Sequence, residues 1–172
     1  MNSKLNIKGT VFLKLEKKDG SVINRTVENI IVNTGKEFFA KQIFSDPTAG
    51  TVTKIGIGRD GTTQVVGNTI TSFKNATTNP APIIKNVNRG SSSIETIGGI
   101  KNQIDFVTTF LDTAADTLLS AGGVKKNIQD LALIGLSGDS PQEDVLLCRT
   151  TITPFDKAVT DVVTVTWRLT IN

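Results

Sequence analysis

The end of the chain alternates without a slip. Val163, Val165, Trp167, Leu169 and Ile171 share one parity, and Thr164, Thr166, Arg168 and Thr170 share the other. A period of two puts apolar side chains on one face of an extended chain and polar ones on the opposite face, so this segment predicts a strand with one face in a core. Near the other end, Leu5, Ile7, Val11, Leu13 and Leu15 stand opposite Lys4, Lys8 and Lys14, which predicts a second such strand over 4–15. A terminus frays unless something ties it down. A final strand this regular therefore predicts a central place in a sheet, with Trp167 in the core.

The segments between these two strands read mostly as more of the same. Asp19-Gly20 supplies the φ > 0 pair that a tight hairpin needs, and residues 22–32 read as the returning strand. NTGKEFFAKQIF predicts one short α-helix near 35–44: Thr34 and Glu37 have capping-box spacing, Phe39 and Ile43 fall on one face, and Asp46-Pro47 closes it. TVTKIGIG predicts a strand with Thr53, Ile55 and Ile57 on one side, and Ile104, Phe106, Thr108 and Phe110 mark another. LDTAADTLLSAGG reads as a turn or a short helical turn. IQDLALIGL (128–136) and VLLCRTTI (145–152) read as a buried pair flanking the polar loop SGDSPQED, and the terminal strand follows PFDKAVTD. Residues 59–93 differ: rich in Thr, Asn, Ser and Gly, with one apolar pair (Ile83, Ile84) and no acid after Asp60, they read as a long polar excursion. Two short strands are expected within it, in an arm that orders against a partner.

Seven or eight strands, one helix and no alternating β–α units predict a mainly β protein, an antiparallel β-sandwich of jelly-roll-like type. The 172 residues suit a single domain, 1–172, since no linker divides them. Abundant Thr, Val and Ile agree with strands. No run approaches the ~18 apolar residues that span a bilayer, and the charged N-terminal stretch does not read as a signal peptide.

With no histidine, Ser-His-Asp and Cys-His catalysis and His-bearing zinc sites are excluded. Cys148 is the single cysteine, so no intrachain disulfide forms; it reads as a small buried hydrophobe, with Arg149 on the opposite face of the strand. Gly56-Ile-Gly-Arg-Asp-Gly61 matches G-x-G-x-x-G, but the next residues are poor helix formers and the acidic partner about 20 positions on is missing. It reads as a strand ending in a glycine turn. Asp112 and Asp116, or Asp139, Glu143 and Asp144, are the carboxylates with which hydrolysis or calcium binding would start, yet each group sits in a polar turn without EF-hand spacing. The net charge of +3 comes from dispersed lysines: Lys8 and Lys14 on a solvated strand face, and Lys17, Lys18, Lys125 and Lys126 at expected turns. Aromatics are 5% of the chain and interleave with no basic stripe, so neither nucleic acid nor membrane is expected as a partner. No catalytic, cofactor-binding or metal residue is predicted, and no cofactor.

The order of the segments carries a resemblance. VENIIVNTGKEFFAKQIF followed by TKIGIGRDGTT resembles a recurring opening of small virion structural proteins of tailed bacteriophages. LALIGLSGDSPQEDVLLCRTTITPFDKAVTDVVTVTWRLTI resembles their usual ending: a Gly-Leu strand, a polar loop, a strand with an arginine, a Pro-aromatic-x-Lys turn (Pro154, Phe155, Lys157) and a last strand with tryptophan. Where that pattern often has an acid before its Gly-Leu strand, this chain has Asp130 further upstream. The resemblance implies a non-enzymatic virion component made in the host cytoplasm. The foremost expectation is a capsid decoration (cement) protein binding the major capsid protein as a homo-oligomer, a trimer first of all. A tail, neck, baseplate or fibre-adaptor protein is the alternative. A carbohydrate-binding module is more distant, because Trp167 lies on the apolar parity and only Phe12 breaks the polar face.

Overall fold

A computed structural model of the chain describes residues 6–59, 64–74, 82–88, 93–97, 100–111 and 124–171. The strands are β1 (Ile7–Glu16), β2 (Val22–Glu28), β3 (Ile30–Ile31), β4 (Thr51–Gly58), β5 (Ile83–Asn86), β6 (Ser93–Ile97), β7 (Ile100–Leu111), β8 (Val124–Leu136), β9 (Asp144–Ala158) and β10 (Val162–Ile171). Two helices accompany them, α1 (Asn33–Ile43) and α2 (Ile70–Lys74). The strands form two antiparallel five-stranded sheets, ordered β2-β1-β10-β7-β6 and β3-β9-β8-β4-β5. The mainly β, two-sheet antiparallel architecture is as expected. The strand order does not single out jelly-roll winding, since β8 and β9 pair as a hairpin inside one sheet.

The terminal alternation does what its period requires. β10 is the middle strand of the first sheet, laddered to β1 from Ile7↔Ile171 to Glu16↔Val162 and to β7 on its other side. Val163, Val165 and Trp167 are fully buried. They join Val11, Leu13 and Leu15 from β1 and Ile55, Ile57, Leu131 and Leu133 from the second sheet in one core. A hairpin forms at Asp19-Gly20, but its loop runs from 17 to 21 and only Gly20 of the pair has positive φ, at 84°. The Gly20 N–H donates to Lys17 O, and Asp19 Oδ1 accepts from Ser21 N–H at 2.8 Å.

Several expectations need correction. The returning strand over 22–32 is two strands in two sheets: β2 stays beside β1, and β3 pairs with β9. Asn29 makes the crossing. Its N–H donates to Gly9 O at 3.1 Å, and its side chain occupies the space above Gly9, where a Cβ would lie 1.7 Å from Asn29 Oδ1. The capping box does not form: α1 begins after Val32, which makes no side-chain cap, and the Thr34 hydroxyl donates to Leu146 O at 2.6 Å. Phe38 is the buried apolar side chain of α1, while Phe39 is half-buried and Ile43 exposed.

The other differences lie in the polar segments. Pro154, Phe155 and Lys157 continue β9 and the turn comes after Ala158. Irregular pairing between Ile128↔Phe155 and Asp130↔Thr151 gives Pro154, which has no N–H, a place outside the regular ladder. Lys125 and Lys126 belong to β8 rather than to a turn. Ten described strands and a second helix exceed the seven or eight strands and one helix expected. Within 59–93 the described residues hold α2 and β5, so part of that excursion is regular structure. Ser93 opens β6. Residues 60–63, 75–81 and 89–92 of the expected arm lie outside the described residues, and so does the turn expected at LDTAADTLLSAGG except Leu111, which ends β7.

Both helices dock through one aromatic ring seated over a strand glycine. A Cβ on Gly135 would lie 2.9 Å from the Phe38 ring, and one on Gly56 would lie 2.6 Å from the fully buried Phe73. Two seams close the sandwich. Arg25 of β2 donates to Thr153 O and lies 5.9 Å from the Phe155 ring centroid. On the other side Val87 N–H reaches Thr53 O and Asn88 N–H reaches Val107 O, at 2.8 and 2.7 Å.

Trp167→Ala is expected to lose about 3–5 kcal/mol in urea melts, as for a large ring removed from a packed core. Gly56→Val is expected to lose about 1–3 kcal/mol by displacing Phe73 from the sheet. A loss under about 1 kcal/mol for Trp167→Ala would contradict its central position.

Candidate functional site

The carboxylates singled out in the sequence do not converge. Asp139 lies exposed in the β8–β9 loop, 3.5 Å from Lys41 Nζ. Glu143 is exposed, and its backbone joins Ser137 in closing the same loop. Asp144 opens β9 and is clasped by Lys54 at 2.7 Å and Lys74 at 2.9 Å. Burial opposes ionisation of Asp144, but the two lysine hydrogen bonds outweigh it and hold the carboxyl below its ordinary value. Among the described residues no group of three or more His, Cys, Asp or Glu is placed to hold a metal. Asp112 and Asp116 lie outside the described residues.

Gly56 and Gly58 sit inside β4, paired across to Ala132 and Asp130, and Gly61 lies outside the described residues. Gly56 thus serves packing, since it leaves room on the sheet for Phe73, while a Cβ on Gly58 would meet Asp130 only at an ordinary 3.6 Å. Cys148 is fully buried in the core, where burial pushes its thiol far up while the nearby Asn29 and Trp167 side chains act the other way. A thiol so placed does not supply a thiolate.

The sequence reading missed the most heavily built polar group. Arg149 of β9 and Asp130 of β8 form a bidentate pair, Nε to Oδ1 at 3.1 Å and Nη2 to Oδ2 at 2.7 Å. Their side chains are 2% and 0% exposed, and the guanidinium lies 5.7 Å from the Phe73 ring centroid. Planar two-point pairing satisfies much of the charge that burial strips of water. Alternation places both residues on the outer, polar face of their strands, and that is where they are. What alternation does not reveal is that α2 covers this face. The available signal was Phe73, a lone aromatic in a polar segment, together with Gly56, the strand glycine that receives it.

The free surface is apolar at one end of the sandwich. Where α1 meets the start of β1 and the end of β10, Phe44 is 82% exposed, Ile43 48% and Ile171 38%. A groove of about 520 Å³ runs between β1, the Asn29 crossing and α1, lined by Ile7, Ile31, Phe39, Ala40 and Ile43 with Lys8 and Lys36 among its polar members. A second, of about 450 Å³, lies across Ile7, Phe39 and Ile43 toward Phe106 and Leu169. On the outer face of the first sheet, Arg168 pairs with Asp105 at 2.8 and 2.7 Å and covers Phe12, with 4.9 Å to its ring centroid.

Asp130→Asn is expected to cost about 3–5 kcal/mol, because it leaves the Arg149 charge buried and without its counter-ion. Asp130→Leu combined with Arg149→Met should recover much of that loss in the same urea melts; equal losses for both proteins would show that the pair is stabilising in itself. Asp144 provides a pH test. A carboxyl held low when folded contributes stability that is present above its unfolded value, near 4, and fades as pH falls through the folded value. Asp144→Asn should therefore be less stable than the parent at pH 7, and the difference should shrink as pH falls below about 4.

Comparison of the chain with protein-family models, with curated proteins and with solved structures finds no match in any of the three.

Proposed function

We propose that the chain is a non-enzymatic structural component of a tailed-bacteriophage virion. Within that class the reading is a capsid decoration protein that binds neighbouring capsid subunits as a trimer or other small oligomer. One observation carries it: a two-sheet scaffold with a fully buried core presents an apolar surface at one end, where Ile43, Phe44 and Ile171 stay open to solvent. Exposed apolar side chains beside an apolar groove are the kind of surface through which proteins bind partners. The resemblance of both ends of the chain to small virion proteins supports the same reading. A tail, neck, baseplate or fibre-adaptor protein would use the same surface on a different neighbour. The carbohydrate-binding alternative draws less support, because Trp167 is buried and Phe12 lies under Arg168.

The test mixes the purified protein with phage particles that lack it, across a salt series, with duplex DNA in parallel. Stoichiometric binding to heads with a shallow salt slope is expected, because no phosphate array is being neutralised. Binding confined to tails or fibres would replace the decoration reading with its alternative. Tight, steeply salt-dependent DNA binding with no particle binding would overturn the class.

A further inference from the structure

The Asn29 crossing ends the β2 ladder before the start of β1 is reached. β2 pairs with β1 only as far as Thr10↔Glu28, and then the chain departs for the second sheet. β1 runs on to Ile7, held on its other side by β10 through Ile7↔Ile171. The direction of the unused groups follows from the ladder. Gly9 O accepts from Asn29 N–H, so Gly9 turns its backbone polar groups toward the β2 side. In an antiparallel ladder alternate residues face the same way, so Ile7 turns its N–H and C=O to that side too. Among the described residues no backbone group meets Ile7 there.

This open edge borders the 520 Å³ groove, whose apolar members include Ile7, Ile31, Phe39 and Ile43. Lys8 and Lys36 line the same groove, both exposed, and neither forms an ion pair among the described residues. A short strand edge, an apolar trough beside it and two unpaired cations are what strand addition requires: main-chain bonds for affinity, pockets for alternate side chains, and charge for selectivity. We propose that this edge and groove accept an extended segment of a partner protein as an added β-strand, with an apolar side chain in the trough and a carboxylate against Lys8 or Lys36. A second copy of the chain fits less well, because facing two such ends would set four lysines together with only Glu28 from each copy to offset them. The proposal rests on the assembly reading above only for where the partner comes from.

The probe is a short synthetic peptide of alternating valine and threonine with a glutamate at each end, titrated into the full chain and followed by amide NMR. The Ile7 and Gly9 amides should shift, and the Ile7 amide should become protected from exchange. Replacing the peptide's glutamates by lysines should weaken binding about fivefold, as for a partly exposed ion pair. Ile43→Glu, at an exposed position that folding tolerates, should abolish it. Lys8→Glu with Lys36→Glu should reverse the preference between the two peptides. Absence of shifts at Ile7 and Gly9, or binding indifferent to Ile43→Glu, would overturn the proposal, as would dimerisation that depends on Ile43. Peptide binding in the groove without particle binding would uphold the groove and remove the virion reading. Particle binding unaffected by Ile43→Glu, with no peptide binding, would do the reverse.

Discussion

Everything in the first sheet hangs on β10 being bonded on both sides. With β1 along one edge and β7 along the other, its four buried side chains, Val163, Val165, Trp167 and Leu169, cannot slip register without turning Trp167 to solvent and Arg168 to the core. That penalty fixes the position of β1, and β1 fixes β2. The outward residues then follow without further choice, which brings Arg168 against Asp105 and over Phe12.

The second sheet obeys a different rule. Its inner face packs against the first sheet, and its outer face is covered in part by α2, so strands β8 and β9 carry apolar residues at successive positions. LALIGL is the trace of a strand buried on both faces. Such a strand has nowhere to send a charge. Asp130 and Arg149 are tolerated because each neutralises the other in a planar geometry, and because the Phe73 ring covers the guanidinium.

What could be read from the sequence was whatever depended on near neighbours. Alternation in 163–171 revealed a strand, its buried face and its central place; Asp19-Gly20 revealed a hairpin; the composition revealed the fold class. What stayed hidden depended on residues far away in the chain. Thr34 has the right spacing for a cap, but Leu146 O, from another strand, claims its hydroxyl. Residues 22–32 look like one strand because a change of sheet at Asn29 leaves the local pattern intact. The pairing of Asp130 with Arg149 spans 19 residues, and the ring that shields it belongs to α2, in the segment with the weakest local signal. The groove was equally invisible, since Phe39 and Ile43 share a helix face whether that face is buried or open.

The pairing of Ile7 with Ile171 has a mechanical consequence. The two described ends of the chain leave the sandwich side by side, at the same end as the groove. A load that draws these two ends apart would open the β1–β10 ladder one rung at a time, like a zipper. A load running from the groove along the strand axes to the far hairpin would instead strain many rungs at once, and the sandwich would resist it far better. A partner strand seated beside Ile7 would pull along that second direction, so the contact would sit where the scaffold bears tension well.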